Sequence, residues 1–277
     1  METQIKMKKL KIKHLSYSSI KEFKKSPEHF YHYFTEEKIE KDVYMEGNLL
    51  HTLALQPELF KSRYTVYDPE NRPDKAHTMA AKENKLWLDN LQQEAIENKK
   101  LVISHEVYTT SIEIAGKVRS NPVSGELIKA KGNVFEKEMK WKLKGFDHLG
   151  FTDIWNDAFI CDLKFMANAD PVDFHRKIFY YDLYLQAAIY QVADKKFPDF
   201  NDIKDFFFIA IDKTPPYGVS VNRMPNEYLK IGMNEYLGLL DQIKLCLKDN
   251  SWISYEFKAP FGSDGIFTVE TPYQLRS

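Results

Sequence analysis

Ile160-Cys161-Asp162-Leu163-Lys164-Phe165 sets an aspartate and a lysine inside a run that is otherwise apolar. Side chains alternate along a strand, so Asp162 and Lys164 share one face while Leu163 points to the other. Charged groups are rare in a buried strand unless they are paired or ligating, because desolvation penalises them. The hexapeptide alone leaves two readings open: a structural Asp–Lys ion pair, or a site in which the carboxylate ligates and the ammonium acts.

The preceding stretch, FDHLGFTDIW (146–155), reaches it through Asn156-Asp157, which reads as a tight turn. If that is a two-residue hairpin turn, Trp155 pairs with Ala158 and Asp153 with Ile160. Asp153 and Asp162 are then diagonal neighbours on one face, about 7–8 Å apart between backbones. A three-residue turn would flip the parity and separate them. One strand earlier, VFEKEMKWKL (134–143) alternates, with Phe135, Met139, Trp141 and Leu143 on one face. A two- or four-residue turn around Lys144 to Asp147 sets Glu136 or Glu138 opposite Asp153. Carboxylates crowded in this way repel one another, and a divalent cation resolves the conflict. All-oxygen ligands suit Mg²⁺ or Mn²⁺.

Around this core the chain reads as α/β. Helices are expected over 16–25, from Ser26-Pro27 through EHFYHYF, over 44–56, over 77–98 and over 106–119, stopping near Asn121-Pro122. The three-strand meander follows, then a helix over 174–195, a buried strand at 206–211 and a helix over 226–249. The expected architecture is a mixed central sheet flanked by helices, with an N-terminal helical elaboration. As one domain over 1–277, it divides into a mainly helical part (1–125) carrying His51, the sheet and helices of 130–250, and an extended tail (251–277).

Composition narrows the function classes. Cys161 and Cys246 are the only cysteines, which excludes a disulfide framework and a four-cysteine iron–sulfur cluster and fits a reducing cytoplasm. No apolar run approaches the ~20 residues that span a bilayer, and the N-terminus has no apolar signal core. The net charge is −1, yet residues 1–41 hold ten lysines against six glutamates. Such a segment reads either as a phosphate-facing surface or as a solvated helix. There is no P-loop, no H-E-x-x-H, no G-x-S-x-G and no C-x-x-C.

Three short patterns add a resemblance. Asp153 followed by Asp162-x-Lys164 resembles the signature of PD-(D/E)xK nucleases. Gln186-Ala187-Ala188-Ile189-Tyr190 resembles the Q-x-x-x-Y motif of the RecB-type and lambda-exonuclease-type members, and its two polar residues lie one helical turn apart. Glu46-Gly47-Asn48-Leu49-Leu50-His51 resembles their G-x-x-x-H motif, which implies that His51 sits beside the metal. LSYSSIKEFKKSPEHFY (15–31), EGNLLHTLALQPELF (46–60), DLKFMANADPVDF (162–174), YYDLYLQAAIYQ (180–191) and SWISYEF (251–257) follow the order of the exodeoxyribonuclease VIII (RecE-type) nuclease domain. That family often reads K-G-R-x-D where this chain has Leu149-Gly150-Phe151-Thr152-Asp153, so the carboxylate is kept and the arginine is absent.

The resemblance implies a restriction-endonuclease-like PD-(D/E)xK core. Asp153, Asp162, Lys164 and Glu136 are its expected catalytic residues. His51, Asp153 and Asp162 would hold Mg²⁺ or Mn²⁺, and Gln186 and Tyr190 would contact nucleic acid. It implies exonuclease action on linear double-stranded DNA in phage-type recombination, a single-strand annealing protein as partner and a ring-shaped homo-oligomer. The alternatives are a DNA-binding or assembly module that keeps the fold without catalysis, and an endonuclease of the same fold.

Overall fold

The computed structural model describes residues 8–36, 42–195 and 203–258. Helices open the chain: α1 (Tyr17–Lys25), α2 (Pro27–Thr35), α3 (Asp42–Leu55) and α4 (Phe60–Arg63). Strand β1 (Tyr64–Tyr67), α5 (Lys82–Glu97) and β2 (Leu101–Ser104) follow, then α6 (His105–Ser120) and α7 (Pro122–Lys129). The second half runs β3 (Val134–Leu143), β4 (Phe146–Trp155), β5 (Phe159–Met166), α8 (Pro171–Tyr180), α9 (Leu183–Lys195), β6 (Asp205–Asp212), β7 (Val219–Arg223) and α10 (Asn226–Asp249).

The main sheet has the order β3-β4-β5-β6-β7. Only β5 and β6 are parallel, because α8 and α9 carry the chain across between them, so the sheet is mixed as expected. Alternation along each strand divides the core. Ile160, Phe206 and Phe208 pack with α1, α2, α9 and α10 on one face. Cys161, Leu163, Ile209 and Ile211 pack with α3 and α6 on the other. Burying side chains such as Phe206, Phe208 and Ile209 contributes about 1.5–3 kcal/mol each, which fixes the register of the central strands against slippage.

Local chemistry sets the helix starts. Ser16 and Ser19 form a reciprocal capping box at α1, and Ser26 caps α2 ahead of Pro27. Several expected boundaries shift. The helix over 77–98 begins at Lys82, because Asn84 instead holds the preceding loop through the carbonyls of Asp74, His77 and Thr78. The helix over 106–119 does stop at Asn121-Pro122 as expected, and the same pair also caps and starts α7. The expected helix over 174–195 is two helices, broken at Asp182, whose φ is 58°. β1, β2 and β7 were not anticipated; each is only four or five residues long, too short for periodicity to register. The part of the expected tail beyond residue 258 lies outside the described residues.

His148 lies on β4 beneath α10, only 2% exposed. It stacks on Trp141, and its Nδ1 faces the Tyr236 hydroxyl at 2.8 Å. Burial pulls its pKa down to about 4, against weaker opposite effects of the Leu143 carbonyl and Asp147. Below the unfolded value of 6.5 the unfolded chain takes the proton first, so stability falls with pH between about 6.5 and about 4 and is complete above that window. Denaturant midpoints measured across this window should decline for the wild type and flatten for His148→Gln. Equal slopes would assign the acid sensitivity to other groups.

Candidate nuclease centre

β4 and β5 are joined as a hairpin for only two rungs, Ile154–Cys161 and Trp155–Ile160. The turn is therefore one residue later than Asn156-Asp157. Asn156 is buried and committed: its amide donates to Lys131 O and Asn133 Oδ1, its Oδ1 accepts from Ala158 N, and its carbonyl accepts from Lys204 Nζ. With Asn156 N bonded to Phe159 O, Asp157-Ala158 form the tip. The correction moves Asp153 from opposite Ile160 to opposite Asp162, and the parity of the two aspartates survives.

Beyond Ile154–Cys161 the strands diverge. The backbone groups released by that divergence find other partners, as buried amides and carbonyls must. Asp153 Oδ2 accepts from Leu163 N at 2.6 Å, bridging the gap with its carboxylate. Further along β4, Leu15 takes the vacant edge: Leu15 N donates to Asp147 O and Leu149 N to Leu15 O. This rung delivers α1 to the same cleft.

Four elements supply the site. From α3, His51 Nδ1 lies 3.2 Å from Asp153 Oδ1. From β5, Lys164 Nζ lies 2.5 Å from Asp162 Oδ2. From α9, Gln186 Nε2 donates to Asp162 Oδ1 at 2.7 Å. Tyr190, one turn on, is buried on β4. A Cβ at Gly150 would lie 2.9 Å from Tyr190 Cε1, so glycine at that position admits the ring. Gly150→Ala is expected to cost about 1–3 kcal/mol by overpacking, read from its denaturant midpoint. An unchanged midpoint would mean that the ring moves aside freely.

Electrostatics separate the two aspartates. Burial would raise Asp153, but His51, Lys164 and the Leu163 amide hold it below the ordinary carboxylate range. Burial pushes Asp162 up to about 6, with Asp153 adding to that and Lys164 opposing it. His51 is raised by Asp153 in spite of its own burial. Asp162 Oδ2 is met by Lys164 Nζ, whereas the buried Gln186 Oε1 has no hydrogen-bond donor. A buried amide oxygen lacking a donor, beside two carboxylates in one cleft, suits an electropositive guest. Among the described residues no three His, Cys, Asp or Glu side chains form a ready cage. Mg²⁺ commonly needs only one or two carboxylates, with water and phosphate completing its shell, so the donor set fits such an ion.

Of the expected site residues, the structure brings together His51, Asp153, Asp162, Lys164, Gln186 and Tyr190. Glu136 is committed to a different partner. The two-residue turn at Lys144-Gly145, both with positive φ, does set Glu136 across from Asp153, between the Phe135–Ile154 and Lys137–Thr152 rungs. However, Glu136 itself has φ 48° and its carboxylate is paired with Arg63, Nη2 to Oε2 at 3.0 Å. Glu138 pairs with Lys140 on the outer face. Sequence reading missed Tyr17 of α1, whose pKa is raised first by burial and then by Asp182 and Asp162. The i, i+4, i+7 spacing of Tyr17, Lys21 and Lys24 was the available signal.

A family model described as a PDDEXK-like domain of unknown function (DUF3799) matches residues 16–256. Among solved structures, a crystal structure of a "Putative exonuclease" from Eubacterium rectale is similar, with a TM-score of 0.58 at 15% identity over 94% of this chain and 90% of that one. No curated protein matches the sequence.

Proposed function

The chain belongs to the PDDEXK-like DUF3799 family, within the PD-(D/E)xK nuclease superfamily, and from that premise we propose that it is a divalent-metal-dependent deoxyribonuclease acting at DNA ends. The observation that carries this reading is the facing pair of carboxylates in the β4–β5 cleft, buried Asp162 and half-buried Asp153, with Lys164 on one of them and the donorless Gln186 Oε1 alongside.

In this reading Asp153 and Asp162 hold Mg²⁺ or Mn²⁺, with His51 beside them. The ion, when bound, acidifies the attacking water and neutralises charge on the phosphate. Asp153 is held in place by the Leu163 amide and His51, and Asp162 by Gln186. Lys164 orients the attacking water and, as an ammonium, offsets the negative charge that develops on the phosphate. Tyr190 fixes the α9 face against β4, so that Gln186 stays on Asp162. Glu136, held by Arg63, lies at the rim and enters only if that pair opens.

The resemblance to RecE-type domains supports the finer proposals: exonuclease action on linear double-stranded DNA, a recombination or DNA-processing role in the cytoplasm, a single-strand annealing partner and a ring-shaped homo-oligomer. Among the described residues no helix is long and apolar enough to cross a membrane. End-labelled linear DNA and closed circular DNA, each incubated with Mg²⁺ or with EDTA, test the proposal. Mg²⁺-dependent loss of the linear DNA alone is expected. Cutting of the circles would make the protein an endonuclease, and no cutting with Mg²⁺ or Mn²⁺ would favour a DNA-binding module.

A further inference from the structure

The cleft has a second wall that the chemistry above leaves unused. Tyr17 Oη donates to the carbonyl of Tyr181 at 3.0 Å, pinning the first turn of α1 to the α8–α9 junction. Lys21 is one turn on and faces the same way. Of the lysines on α1, Lys24 is held by Asp182, Glu235 and the Tyr184 hydroxyl, and Lys25 by Glu22. Lys21, half-buried, has no ion pair or side-chain hydrogen bond among the described residues. Burial pulls its pKa below the ordinary lysine value, and Lys25 and Lys164 act in the same direction against Asp182. An unpaired, partly desolvated ammonium within the field of a second one is unfavourable, and an anion beside it would offset both penalties.

The same junction carries exposed aromatic surface. Tyr180 is 78% and Tyr181 38% exposed, their rings 4.9 Å apart at a steep angle. Val172, His175, Arg176, Phe179 and Tyr180 recur at three- and four-residue spacing along the exposed face of α8. A helix normally turns such an apolar stripe inward. Here the inward face is supplied by Phe174 and Ile178 instead. Aromatic rings interleaved with basic side chains are the chemistry that binds unpaired nucleotides, since every base offers a face for stacking. Bases inside a duplex do not offer that face.

We propose that Lys21 and the Tyr180–Tyr181 pair form a subsite for a single-stranded DNA segment flanking the β4–β5 centre. Lys21 holds a backbone phosphate, and a tyrosine ring stacks on the adjacent base. The proposal deepens the nuclease reading and rests on it, because the subsite would take the unpaired strand entering or leaving that centre.

Fluorescence anisotropy with a labelled oligodeoxythymidylate, and with a blunt duplex for comparison, in EDTA so that nothing is cut, tests it. The Tyr180→Ala/Tyr181→Ala variant should bind the oligonucleotide about tenfold more weakly, with duplex binding changed far less. Tyr180→Phe/Tyr181→Phe should bind as wild type. Lys21→Gln should lower the slope of log affinity against log salt by about 0.7, and Lys21→Arg should restore it. Phe and Arg substitutions that restore binding distinguish a subsite from a folding defect. Alanine and glutamine variants that bind as wild type, or a wild type with no affinity for the oligonucleotide, overturn the subsite. Wild type that binds but never cuts with Mg²⁺ or Mn²⁺ keeps the subsite and overturns the reading of the centre.

Discussion

Lys164→Ala should slow cleavage of linear duplex DNA by about 10²–10³-fold, the range typical of losing one group aimed at developing charge. The lysine shares a strand face with Asp162, and its Nζ stands 2.5 Å from Oδ2. Leu163, between them, is 2% exposed and anchored in the core of the opposite face. Removal of the lysine therefore leaves the strand in place and takes away the group beside the reacting water. With Mg²⁺ present, folding and DNA binding should change little, because the cation already neutralises the carboxylates. Lys164→Arg should not rescue, since the planar fork of a guanidinium does not replace an ammonium. Rates at matched protein concentration decide the matter. A Lys164→Ala protein that cuts as fast as wild type would make Lys164 a structural partner of Asp162 and nothing more.

Asp162→Asn should abolish cleavage and, with it, the stabilisation conferred by divalent cation. A ligand at 100 times its dissociation constant stabilises the native state by about 2.7 kcal/mol. Wild type should therefore melt higher with Mn²⁺ than with EDTA, and Asp162→Asn should melt at one temperature in both. The substitution keeps an oxygen for the Gln186 amide, and it removes a buried charge whose pKa is pushed up to about 6 mainly by that burial. Without metal the variant should still fold, because Lys164, which loses its carboxylate partner, is 28% exposed and can reach water. A cation-dependent rise in melting temperature that persists in Asp162→Asn would place the ion elsewhere.

Much of this centre was legible before the fold was known, because strand periodicity is a strict period of two. Asp153, Asp162 and Lys164 had to share a face for any even turn, and they do. The turn itself was misread. Asn156-Asp157 has the composition of a hairpin tip, but long-range partners, Lys131, Asn133 and Lys204, hold Asn156 as an anchor. No local pattern carries that information. Glu136 shows a related effect: register puts it across from Asp153 as counted, and Arg63, 73 residues away, takes its carboxylate. The Gln186–Tyr190 pair was legible from helical spacing. The break at Asp182 was not, because a single left-handed residue leaves the apolar pattern on both sides intact. Its consequence is the exposed Tyr180–Tyr181 surface, which a continuous helix over 174–195 would not have suggested.

The central claim is that one divalent cation binds in the cleft where β4 and β5 part. Anomalous diffraction from crystals grown with Mn²⁺ tests it most directly. The account predicts a peak about 2.0–2.6 Å from Asp162 Oδ2 and from an oxygen of Asp153, with Lys164 beside it. A well-ordered cleft with no peak at saturating Mn²⁺, or a peak bound only by groups outside it, would contradict the account.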